Sequence, residues 1–269
     1  MKKYFSFFTM RFHAGLQYRS AALGAIMVQF PWGLLECLAF QTFQKANPEA
    51  FPMEFSAVAA YIWLKEAFFV LFTVWGGNVD QDIFDMILKG DVAYELCRPI
   101  SIYNMWFARA SAGRVANAGL RFVPILVIAS LLPEPYRFML PENFITGLLF
   151  IVTMILGLGV TVAFCMLVYT TAFFTISPRG LRLLFMSIVE FLSGSIIPIP
   201  FMPDSVRKFV ELLPFAGMMN VPFRIYSGDL IGMEMIQAVG MQIFWFFVLA
   251  ASGMLLCKKA ERRITVQGG

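Results

Sequence analysis

The side chains of this chain that could do chemistry are charges set into apolar sequence. Glu36, Lys65, Glu66, Arg109, Arg114, Arg121 and Glu190 each lie inside a long hydrophobic stretch. One unpaired charge at the middle of a membrane helix costs about 2.5–3.5 kcal/mol, so such residues are functional candidates by default. Arg114 and Arg121 are two helical turns apart and share a face. Glu190 is expected to pair with Arg121 or Arg114 inside a bundle, either to fix packing or beside a transported molecule. Enzymatic constellations are absent: no GxxxxGK[ST], HExxH or GxSxG occurs, His13 is the single histidine, and every Asp lies outside the apolar stretches. Cys37, Cys97, Cys165 and Cys257 are scattered without a CxxC pair, which reads as packing rather than a metal site or disulfide framework. The expectation is a non-enzyme with no metal and no cofactor of its own.

A second set of charges stands outside the apolar stretches. The segment GNVDQDIFDMILKGDVAYELCRP, Gly77 to Pro99, holds five of the seventeen carboxylates, together with Lys89 and Arg98. Ile83, Phe84, Ile87, Leu88, Val92 and Leu96 recur in it at helical spacing. A short, polar, helical loop between two membrane-length segments suits contact with another protein. Asp80, Asp82, Asp85, Lys89, Gly90, Glu95 and Arg98 are its candidate contact residues, on a coupling helix at about 78–99.

The elements that must carry these groups follow from composition. Hydrophobic residues make up 59% and charged residues 14%, with a mean hydropathy of +0.73; soluble domains carry about 25% charged residues. The chain reads as an all-α, multi-pass membrane protein. Six stretches approach the roughly 20 residues of a crossing: 21–42, 57–76, 107–132, 144–176, 181–197 and 236–257. Lys and Arg in the short loops divide twelve against five between the two sides. By the positive-inside rule both termini are then cytosolic, and the net charge of +4 needs no nucleic acid to explain it.

Residues 1–20 form a candidate amphipathic helix, with Lys2, Ser6, Thr9, His13 and Gln17 on a polar arc and Phe5, Phe8, Phe12 and Leu16 opposite. A basic, Phe-rich helix of this kind is expected in the interface plane. Ala108, Ala112 and Ala116, and Gly157 with Gly159, allow close helix packing. At about 194–234 the prolines at 198, 200 and 203 follow Gly194 and forbid a continuous helix. A short helix at SVRKFVELLPF and an extended turn at NVPFRIYSGD are expected next. Irregular backbone at membrane depth is tolerated only against protein or a water-filled cavity. Gly194, Pro198, Pro200 and Pro203 therefore stand as an outer gate. Phe30, Trp32, Phe68, Phe72, Met186 and Phe191 stand as the lining of an apolar pathway.

Taken together, the charged segment after the second span, SGSIIPIPFMP after the fifth, and LPFAGMMNVPFRIYSG before the sixth resemble the permeases of the ABC type-2 exporter family. The likeness is to bacterial permeases encoded in pairs beside one ATPase. It runs over essentially the whole chain, and Leu213, Pro214, Phe215, Pro222, Tyr226 and Gly228 carry its most telling part. The resemblance implies six membrane helices, an N-terminal interfacial helix, a coupling helix seated on a nucleotide-binding subunit, and external re-entrant helices. It also implies two ATPase copies that hold ATP and magnesium, a second permease, and residence in the bacterial inner membrane. The cargo would be a drug, peptide or lipid-like molecule. A secondary transporter or channel independent of an ATPase is the alternative, and a membrane enzyme or scaffold ranks third.

Overall fold

In the computed structural model the chain is helical, with no strand among the described residues. Residues 2–74, 78–175 and 178–262 are described, without the side chains of 78, 79, 178 and 179. Gly76, Gly77 and Ile176, at the ends of expected elements, and Arg263 and the Arg179 side chain, in the charge count, lie outside them. The order is α1 (Lys2–Gly15), α2 (Arg19–Ala46), α3 (Phe55–Phe72), α4 (Asn78–Lys89), α5 (Val92–Leu96), α6 (Ile102–Ser130), α7 (Phe144–Thr171), α8 (Pro178–Leu192), α9 (Asp204–Glu211), α10 (Asn220–Tyr226) and α11 (Gly232–Glu261).

Five of these are long and apolar enough to cross a membrane: α2, α3, α6, α7 with the turn after it, and α11. The expected crossing at 181–197 falls instead on α8, which has 15 residues. That is about 22 Å of helix, against about 30 Å of hydrocarbon. The helix stops because Gly194 takes φ +83 and the prolines beyond it cannot continue the hydrogen-bond ladder. The strand of chain nevertheless travels far. Near its start Arg182 donates to Gln81 Oε1 at 2.9 Å, beside α4. Past its end Phe201 packs on Phe40 and Phe51, with ring centroids 4.8 and 5.0 Å apart, at the α2–α3 loop on the opposite face.

α3 is apolar all round, and nearly all its side chains are buried, as a helix without a polar face should be. It forms the centre, packed by α2, α6, α7 and α10. α2 and α11 are apolar too but mostly exposed, which suits lipid or a neighbouring chain. Asn143 caps α7, its Oδ1 accepting from the Thr146 amide at 2.8 Å. α1 runs alongside the first part of α6: the Ser101 amide donates to the Tyr4 hydroxyl, and a Cβ on Gly15 would stand 2.7 Å from that of Ala116.

The segment expected as an extended turn at NVPFRIYSGD is helical over Asn220–Tyr226, every residue of it buried. It dips between the long helices. Gly157 lies about 20 Å into α7, and a Cβ there would meet the Met218 carbonyl at 2.2 Å. The Gln242 amide, a third of the way along α11, holds the Gly217 carbonyl at 2.7 Å and the Thr153 carbonyl at 3.1 Å. Small and polar residues thus admit a backbone where apolar side chains would close the gap.

Candidate functional site

The acidic residues of α4 and α5 divide into anchors and exposed groups. Asp80, expected at a partner's surface, is 1% exposed. Its carboxylate takes both terminal nitrogens of Arg114, at 3.1 and 3.2 Å, and the Tyr169 hydroxyl. Arg114 also donates to the Thr73 carbonyl at 3.3 Å, just past the C-terminus of α3. Glu95 is likewise buried and accepts from the Trp106 indole. Neither carboxylate is free to touch another protein, because each compensates a buried donor of α6. Asp82 lies between the two states: Arg109 donates to it at 2.7 Å, yet its side chain is 54% exposed. Asp85 is half-buried and accepts from Gln81 at 2.9 Å.

Lys89, Gly90 and Arg98 are exposed. Gly90, at φ +77, ends α4 in the left-handed conformation that a side chain would strain. Around them stand Leu88 and Leu96, both exposed, and Tyr94, which is 77% exposed. The element therefore has one face tied to α6 by ion pairs and another that offers apolar and basic groups to an occupant. Cys97 belongs to the exposed side, whereas Cys37, Cys165 and Cys257 are buried packing residues.

A cavity of about 830 Å³ lies where α2, α3, α6 and α8 meet. Glu36, Lys65, Glu66, Arg121 and Glu190 all line it, with Trp32, Val28, Leu35 and Phe69 as apolar wall and Ser195 and Ile196 beyond α8. The Lys65 ammonium sits between two carboxylates, bonded to Glu36 and 3.2 Å from Glu66 Oε1. Gly33 makes room for this triad, since a Cβ there would stand 2.9 Å from Glu66 Cγ. The pairing expected for Glu190 does not form. Arg114 is committed to Asp80, and neither Arg121 nor Glu190 has an ion-pair partner among the described residues. Glu190 and Arg121 share the cavity without touching.

The six residues expected to line an apolar pathway are not gathered at this cavity. Of the six residues, Trp32 lines the cavity. Phe30 stacks on Trp63, Phe68 on Phe122, and buried Phe72 packs edge-on against Phe223. Phe68 and Phe72 face the core because α3 is enclosed on all sides, and Phe30 joins it from α2. Met186 and Phe191 sit on α8 away from the cavity, Phe191 exposed. The walls are mainly apolar by area, with three carboxylates and two cations set into them.

At the opposite face the proline-rich break closes against aromatic side chains. Gly194 accepts a hydrogen bond from the Tyr61 hydroxyl at 3.1 Å, and a Cβ at this glycine would stand 2.7 Å from that oxygen. Pro198 and Pro200 are buried and Pro203 exposed. Beyond them Arg224 is held by Glu211 at 2.7 Å and by Asp229. Burial pushes its guanidinium down, but the Asp229 and Glu211 carboxylates outweigh that and raise it above the usual value.

Two features escaped the sequence reading yet had a signal. Glu36 and Lys65 lie equally far back from the α2–α3 loop, so an antiparallel hairpin brings them level. Arg114 needed a carboxylate, and Asp80 was the acidic residue closest to the preceding span. Among the described residues, no group of three or more His, Cys, Asp or Glu is placed to hold a metal. Compared with known proteins, the chain matches no family model and no curated sequence.

Proposed function

We propose that this chain is the membrane permease subunit of an ATP-driven ABC exporter of the type-2 kind. It moves an amphipathic drug, peptide or lipid-like cargo out of a bacterial cytoplasm. The observation that carries the reading is the division of α4 and α5. Asp80, Asp82 and Glu95 tie one face to α6, while Leu88, Lys89, Tyr94 and Leu96 are exposed on the other. A separate ATPase seated on the free face would move α6 through the ion pairs. Two ATPase copies and a second permease complete the assembly, with ATP and magnesium on the ATPase. The path of α8 from Gln81 to the Phe51 aromatics supports a sixth crossing, part helix and part turn, with both termini cytosolic. The segment from Gly194 to α10 then forms the re-entrant outer mouth. The cavity of five charges receives the polar end of the cargo, and its apolar wall the rest.

A photo-crosslinking residue at Tyr94, in the complex purified with its co-encoded subunits, tests this. Capture of an ATP-hydrolysing subunit, and loss of substrate-stimulated hydrolysis in Tyr94→Ala or Lys89→Glu, is expected. Unchanged coupling in both variants would overturn it. An ion-coupled secondary transporter is favoured by one observation only: Arg121 and Glu190 stand unpaired in the same cavity. Uptake by vesicles holding this chain alone, driven by a proton gradient, would select that reading.

A further inference from the structure

A second, smaller cavity of about 260 Å³ opens between α1 and α6, on the face where the chain begins. Arg11, Arg109, Arg114 and Arg121 all line it, with Asp80 and Asp82 the only acids among the described residues. Both carboxylates are taken: Asp80 by Arg114 and Tyr169, and Asp82 by Arg109. Arg11 and Arg121 are left over. Neither donates a hydrogen bond or forms an ion pair among the described residues; Arg11 only overlies the Phe7 ring, at 5.4 Å. The Nε of each of the four arginines is buried without an acceptor. Two cations in excess, in a partly closed site, call for an anion with several acceptor oxygens. A phosphate group meets that need through charge-assisted, often bidentate, bonds.

The surroundings choose the source. Gly15, Tyr18 and Ala21 line it around the α1–α2 turn. From there the outward face of α2 continues with Leu23 and Met27, both more than 60% exposed. A headgroup in the cavity would leave its acyl chains along this apolar strip, an arrangement a soluble anion has no use for. Basic pockets between membrane helices bind anionic headgroups on this principle. We infer that the cavity between α1 and α6 is a binding site for the phosphate of an anionic phospholipid, with Arg11 and Arg121 as its free cations.

Burial, and then the neighbouring Arg109, push the Arg11 guanidinium below its usual value, as expected where a cation lacks its counter-ion. The bound lipid relieves this and pins α1 against α6. The site shares Arg121 with the larger cavity, but Arg11 lines the smaller one alone and lipid retention is read without transport, so either reading can fail without the other.

The test is native mass spectrometry of the chain released from phosphatidylcholine nanodiscs doped with phosphatidylglycerol. The wild type should retain a phosphatidylglycerol that Arg11→Gln and Arg121→Gln each weaken about fivefold, at about one surface charge's worth apiece. Arg19→Gln, exposed and outside the cavity, should bind as wild type does. Since α1 buries no residue completely, Arg11→Gln carries the test even if Arg121→Gln fails to fold. Equal retention in Arg11→Gln and wild type, or an equal loss in Arg19→Gln, would overturn the site. If millimolar inorganic phosphate in pure phosphatidylcholine raises the melting temperature as much as phosphatidylglycerol does, the ligand is a soluble anion and the lipid assignment is wrong.

Discussion

At the scale of single residues, the contrast is between charges that have partners and charges that do not. Arg114 is fully enclosed and held by Asp80. Removing the carboxylate strands a buried cation, which costs about 3–5 kcal/mol, whereas replacing both partners by apolar groups of like volume is close to neutral. Asp80→Asn should therefore lower the melting temperature in detergent strongly, and Asp80→Leu with Arg114→Met should recover most of the loss. A double variant as unstable as the single would refute the compensation argument. Lys65→Met should likewise destabilise, because Glu36 and Glu66 would face each other unscreened. Glu190→Gln should shift melting little, since it breaks no ion pair. Equal shifts in Lys65→Met and Glu190→Gln would show that the triad contributes nothing.

Elements show how local sequence controls approach. Gly157 admits the Met218 carbonyl into contact with α7. Gly157→Val would have to push out the backbone leading into α10, at a cost of about 1–3 kcal/mol for overpacking. It should both lower stability and increase labelling of a cysteine at Met218; a wild-type labelling rate would mean that α10 is not seated by this contact. Gly194→Ala adds the strain of a positive φ to a clash with Tyr61. The long helices were legible because twenty-residue apolar runs leave few alternatives. Residues 220–226 were not, since Pro222 early in NVPFRIY reads as a turn when its neighbours are unknown. In the structure Pro222 falls in the first turn of α10, where a missing amide costs nothing. Asp80 and Glu95 were misplaced for a related reason: an acidic residue looks solvent-bound until the arginine or indole that buries it is brought alongside from α6.

The whole molecule leaves its cavity open on one side. Trp32, Val28 and Leu35 of α2 line the cavity and are exposed, and α8 has a single fully buried residue of known environment, Val189. Lipid alone would not enclose a cavity holding five ionisable groups, since each charge facing hydrocarbon is penalised. A second permease against α2 and α8 would close it into a conduit. Opening at the far face must then loosen the segment after α8, where Gly194 is fastened to Tyr61. Phe191 and Ile197 flank that fastening and are both exposed, at 48% and 39%. The native thiols interfere little: Cys97 is the exposed one and can be replaced by Ser, while the other three are buried. In that background Phe191→Cys and Ile197→Cys should react with a membrane-impermeant maleimide at rates that change severalfold between nucleotide-free and ATP-trapped complexes. The change should vanish in Tyr94→Ala if, as proposed, an ATPase seated on α4 and α5 drives α6. Rates that stay constant across the nucleotide cycle in the intact complex would remove the segment after α8 from the gate.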